Sequence, residues 1–202
     1  MISATVPRIA SAPVVTPVAA APVAPAVTPV SRPVAGAAAP VGESWGEIPK
    51  PSYFRSYDQV RKSLTELADQ HPDLLTVETV GPSTDTAAGK ADRPLFAVTA
   101  GAQLPEGVTD TRPVLAIVAG VHADESANPE FMARTIEDLV KGYGTDAQAT
   151  HLLRTRRIVV VPFANPDGRA AVEQGFATND AKLINQRRSG SNGGGVDLNR
   201  NF

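Results

Sequence analysis

The chain has 202 residues, with 19 Lys and Arg against 21 Asp and Glu, and its first 40 residues hold 12 Ala, 8 Val and 8 Pro with no acidic and no aromatic residue. Such a tract cannot anchor a core, so the foldable part starts near residue 41, where 17 basic residues face 21 acidic ones; this net of −4, without long single-sign runs, argues against a nucleic-acid footprint. With no cysteine any metal must be held by His, Asp or Glu, and no run reaches the ~18 apolar residues of a membrane span.

In chain order, residues 1–45 are expected as a disordered leader or linker, because prolines recur too often between Ala10 and Pro40 for a helix to propagate. The amino terminus lacks a cationic start followed by an unbroken apolar run, so no standard signal peptide is legible. After Tyr53, Val60, Leu64, Leu67 and Ala68 share one face at helical spacing, and Pro72 stops that helix. Leu74 to Val80 and Leu95 to Thr99 read as strands, separated by a polar hairpin or loop over Ser83 to Arg93. Arg112 to Val121 is apolar without alternation, which predicts a central strand buried on both faces. Residues 129–141 predict a helix opened by Pro129, and Asp146 to Leu153 a shorter one. Arg157 to Phe163 predicts a second strand buried on both faces, closed by a turn at Asn165-Pro166-Asp167-Gly168. This order gives an α/β fold: a mixed, partly parallel central sheet with helices on both faces, and ligands expected beyond the carboxyl ends of the strands.

His122 and Glu125 stand at such an end, an imidazole and a carboxylate three residues apart on a turn. They suit a zinc site, and equally a capping or hydrogen-bonded histidine. His71, at the end of a surface helix, and His151, followed by three arginines, read as capping or solvated residues. Near the carboxyl terminus, Asn199 and Arg200 can grip a carboxylate through charge-assisted hydrogen bonds, or form an ordinary exposed turn. Asp197 can accept the free N–H of a metal-bound imidazole, fixing its tautomer.

Together these segments resemble the zinc metallocarboxypeptidase family, of the carboxypeptidase A and B type. The stretches that carry the resemblance are Ser56-Tyr57-Asp58, His71-Pro72-Asp73, Gly81-Pro82-Ser83, Val118 to Glu125, Asn165 to Gly168 and Gly195 to Phe202, in the family's order. The resemblance implies an amino-terminal portion of an α/β/α sandwich catalytic domain over residues 46–202. It implies that His122 and Glu125 are two of three protein ligands to a catalytic zinc, and that Asp197 supports His122. Asn199 and Arg200 match positions that bind the terminal carboxylate of a peptide, so peptide or protein carboxyl termini are the expected substrates. In the family mechanism zinc polarises the scissile carbonyl, a glutamate acts as general base and an arginine stabilises the oxyanion.

Asp124 stands where the family commonly has arginine. The oxyanion arginine is expected before the Asp197 segment; counting back lands nearest Asn185, and Arg187 is the candidate arginine. The family's third zinc ligand, its general-base glutamate and a substrate-closing tyrosine are expected downstream of Phe202, so the 202 residues alone are expected to be inactive. Two further readings stand beside the carboxypeptidase: an inactive remnant or binding module for peptide carboxyl termini, and a related zinc amidohydrolase acting on acyl amino acids. The resemblance leans towards an exported protein.

Overall fold

The computed structural model describes residues 54–190 and 195–200. The leader expected over 1–45 lies outside the described residues. Helix α1 (Tyr57–Gln70) opens with a capping box, in which the Ser56 hydroxyl accepts from the Gln59 N–H while the Gln59 side chain accepts from the Ser56 N–H. It buries Tyr57, Val60, Leu64 and Leu67. His71 caps its carboxyl end through backbone bonds to Leu67 and Ala68. Strands β1 (Leu75–Gly81) and β2 (Leu95–Ala100) pair antiparallel. Between them the expected loop holds a short helix, α2 (Thr84–Ala87), because the Ser83 hydroxyl caps the Thr86 N–H.

Strand β3 (Val114–Val118) leads into α3 (Ala127–Gly142) and α4 (Ala147–Thr155), the latter capped by Asp146, and the chain returns through β4 (Arg157–Val161). β4 lies parallel to β3 and antiparallel to β2, so the sheet order is β1-β2-β4-β3. The two interior positions thus belong to β2 and β4, and Ile158 and Val160 of β4 are buried. β3 is one of the two edge strands, with β1, among the described residues, and its side chains are exposed on both faces, which corrects the expectation of a strand buried on both faces. Val114, Leu115 and Val118 are 56%, 52% and 58% exposed, because among the described residues neither face of β3 is fully covered and it has a strand partner on one side alone.

The expected turn at Asn165 is instead the start of a helix, α5 (Pro166–Thr178), which is followed by α6 (Ala181–Ile184) and a single 3-10 turn at Leu198–Arg200. Asn165 caps α5 by accepting from the Gly168 N–H, and Pro166 fills the first helical position, where a missing N–H costs nothing. The core is centred on Tyr57, Phe96 and Phe163, whose rings meet edge to face at 5.7 and 5.2 Å from Tyr57. No helix among the described residues is long and apolar enough to cross a membrane.

Candidate metal centre

The two parallel strands release their chains at the same end of the sheet, and backbone bonds stitch the loops that follow. Ala119 N–H donates to Val161 O at 2.9 Å, Ala164 N–H to Ala119 O at 2.9 Å and Asn165 N–H to Gly120 O at 3.0 Å. Gly120 permits this at φ +61°, with a Cβ there falling 2.9 Å from the Pro162 carbonyl. The stitched loops place His122, 8% exposed, just beyond the carboxyl end of β3.

A third segment is clamped onto them. Asn165 Nδ2 donates to the carbonyls of Arg187 and Arg188 at 3.2 and 3.0 Å, and Ala123 N–H donates to Arg187 O at 3.3 Å. Gly168 lets these segments close, since a Cβ at that position would stand 2.6 to 2.8 Å from Asn165, Arg188 and Ala123. Sequence reasoning missed this work of Asn165, and also Arg169, which is buried and donates to the Ser126 hydroxyl beside Glu125. The one available signal was the Asn-Pro pair that opens α5.

Four sequence-derived candidates meet here. His122 Nδ1 lies 2.8 Å from Glu125 Oε1 and 2.8 Å from Arg187 Nη2, while Nε2 faces Asp197 Oδ1 at 3.3 Å. Arg187 also donates through Nη1 to both oxygens of Asp124 at 3.3 and 3.1 Å, and this bond raises its pKa. Burial pushes the Asp197 carboxyl up, but the Asn199 backbone N–H, the His122 ring and Arg200 together hold it below the usual carboxylate range. Asn185 caps α6 and its amide donates to Ala181 O. Of the two positions weighed for the oxyanion arginine, Arg187 is the one that reaches His122.

Asn199 and Arg200 touch this cluster through Asp197. The Asn199 N–H donates to Asp197 Oδ1 at 2.9 Å, and Arg200 Nη1 donates to Asn199 O at 3.0 Å. Both side chains stand on the exposed face of the 3-10 turn. His71 and His151 lie elsewhere, at the end of α1 and on the exposed side of α4.

The donor chemistry of the pair suits a metal. One ring nitrogen cannot donate to Glu125 and accept from Arg187 at once. In the tautomer with the ring proton on Nε2, facing Asp197, Nδ1 and Glu125 Oε1 turn lone pairs on each other across 2.8 Å, an arrangement that a cation stabilises and beside which the Arg187 guanidinium lies. The nitrogen and oxygen donors are of the type zinc takes, and His122, Glu125 and Asp197 would hold it and its tautomer. Two donors are fewer than the three of a catalytic zinc site, and no group of three or more His, Asp or Glu side chains able to hold a metal occurs among the described residues.

A family model described as zinc carboxypeptidase matches residues 60–202. Carboxypeptidase D of Mus musculus is 27% identical over 154 residues, covering 76% of this chain and 10% of that protein. The zinc carboxypeptidase of Saccharothrix mutabilis subsp. capreolus is 28% identical over 158 residues, 75% of this chain and 33% of its own length. Among solved structures, the carboxypeptidase A from Helicoverpa armigera superposes with a TM-score of 0.55 at 25% identity, covering 74% of this chain and 34% of that one. The chain therefore spans about a third, or much less, of the length of these relatives.

Proposed function

This chain belongs to the zinc carboxypeptidase family, and from that premise we propose that residues 46–202 form the metal-binding and carboxylate-binding portion of a zinc-dependent carboxypeptidase, preceded by a linker over 1–45. The observation that carries the reading is the convergence of His122, Glu125, Asp197 and Arg187 from three chain segments on the carboxyl end of β3. In this reading zinc, when bound, supplies Lewis-acid polarisation of the scissile carbonyl and an acidified water.

The chain's own residues do the rest. His122 Nδ1 and Glu125 Oε1 would hold the metal, and the Asp197 carboxylate would accept a hydrogen bond from Nε2–H, the tautomer that turns the Nδ1 lone pair to the metal. Asn199 and Arg200 take the terminal carboxylate of a peptide, planar guanidinium against planar carboxylate, so an amidated or blocked end loses the charge-assisted bonds. Arg187 is the cation beside the metal donors and is assigned the developing oxyanion. The general base and the third zinc donor are left to residues outside those described.

The test is a substrate panel run on the 202-residue chain and on any longer polypeptide that contains it, each loaded with zinc. Release of carboxyl-terminal residues from free-ended peptides, absent with amidated peptides and abolished by a chelator, is the expected result for the form that completes the site. Turnover of acyl amino acids in preference to peptides would replace this reading with the amidohydrolase. Tight peptide binding without turnover in every form would replace it with a binding module.

A further inference from the structure

Asp124 lies between the two metal donors in sequence, yet its carboxylate turns to Arg187, with both oxygens within 3.3 Å of Nη1. Through Nη2 the same guanidinium lies 2.8 Å from His122 Nδ1 and 3.5 Å from Glu125 Oε1. The Arg187 backbone is fixed separately, by Asn165 and Ala123 at its carbonyl. The carbonyl bonds set where the residue starts; they do not set where a long side chain with many rotamers ends. The Arg187 side chain is 48% exposed and that of Asp124 20%, so the shorter and more buried carboxylate has the fewer positions open to it and can act as the anchor. A guanidinium so placed and a divalent cation claim the same two donor atoms, and two cations cannot share them.

Resting on the assignment of His122 and Glu125 as metal donors, we propose that Asp124 is a positioning residue that holds Arg187 against this pair, so that Arg187 and the metal compete and metal binding releases the guanidinium. Coupling of this kind is reciprocal. A carboxylate ligand that draws Arg187 away strengthens metal binding, and bound metal frees Arg187 for an anionic group of the substrate. The departure from the family's usual arginine at position 124 thereby acquires a task.

Zinc titration of the 202-residue chain tests this, followed by calorimetry and by the 15N shifts of the His122 ring. Arg187→Gln is expected to tighten zinc binding about tenfold, a coupling of ordinary allosteric size. Arg188→Gln, the same charge change on the adjacent exposed residue, is expected to tighten it less than about threefold, the share that long-range charge alone supplies. Asp124→Asn is expected to tighten binding in the native background, by unfastening Arg187, and to weaken it when Arg187 is already Gln, by removing an anion near the metal. That reversal of sign within a double-mutant cycle is one that a general charge effect does not produce.

Equal effects of Arg187→Gln and Arg188→Gln would overturn the positioning role, as would weakening by Asp124→Asn in both backgrounds or the absence of zinc binding in every variant. His122→Ala separates the two levels. If it abolishes zinc binding while the arginine variants behave alike, only the role of Asp124 falls; if it leaves zinc affinity unchanged, the metal assignment falls and takes this proposal with it.

Discussion

Gly168 keeps three chain segments in contact by having no side chain. Its ideal Cβ would lie 2.7 Å from the Arg188 carbonyl and 2.8 Å from the Ala123 Cβ, backbone and near-backbone atoms that cannot swing aside. Gly168→Ala is therefore expected to cost about 1–3 kcal/mol of stability, the usual range for overpacking a close contact, and to displace the 187–188 segment. Gly81→Ala, with nothing within 4 Å, is the control and should be near neutral. Urea denaturation of both variants and the His122 ring shifts check it, and an unperturbed His122 in a destabilised Gly168→Ala would show that the clamp does not orient the site. At this scale the candidate residues were legible: His122, Glu125, Arg187 and Asp197 were read from the sequence, and all four meet. The partners of Asn165 were not legible, because the carbonyls it holds are 22 and 23 residues away and any residue type offers the same carbonyl.

β3 is apolar on both faces and pairs with β4 alone among the described residues, leaving a hydrophobic edge next to Phe131, which is 68% exposed. Ile117, Val118, Phe131 and Met132 also line a cavity of about 210 Å3. Such an edge templates association with another strand unless a charge interrupts it. For the 202-residue chain, Leu115→Lys combined with Val118→Lys is expected to lower self-association in sedimentation velocity while changing unfolding free energy by no more than ~0.5 kcal/mol per site. A fall of several kcal/mol would mean that β3 is covered in solution. The apolar run announced a strand, but composition reports how many faces want covering and not which neighbour covers them. α5 was illegible for the opposite reason: it buries Asp167, Gly168, Arg169 and Val172 together, so no apolar stripe marks it. The polar members of that set are satisfied within the fold, Asp167 by the Ser83 hydroxyl at 2.8 Å and the Asp85 N–H at 3.0 Å.

Over the described molecule, the segment before α1 ties the helices into one unit. The Arg55 guanidinium reaches Glu130 at 3.1 Å and also Glu137, its carbonyl accepts from Arg169 at 3.0 Å, and the Tyr57 N–H donates to Glu173 at 2.8 Å. Burial pushes the Glu130 carboxyl up, but the Arg55 side chain and N–H, with Arg134, hold it below its ordinary value. A depressed carboxyl adds stability that is present above the unfolded pKa and lost as pH falls through the folded one, so the acid limb of stability should steepen below about pH 4. Tyr57 acts at the other end. Burial raises its phenol to about 12 from 10.0, and its hydroxyl donates to the Pro94 carbonyl inside the core. Its contribution is therefore complete below about pH 10 and disappears as pH climbs towards 12. Urea melts across pH should show Glu130→Gln losing about 1–3 kcal/mol at neutral pH with a flattened acid limb, because Arg55 keeps Glu137 but loses the charge-assisted bonds that its side chain and N–H make to Glu130. Tyr57→Phe should flatten the alkaline limb alone. If both limbs kept their slopes in these variants, the pH dependence would have to come from the surface charges, and the hub at Arg55 would be a packing contact without electrostatic weight.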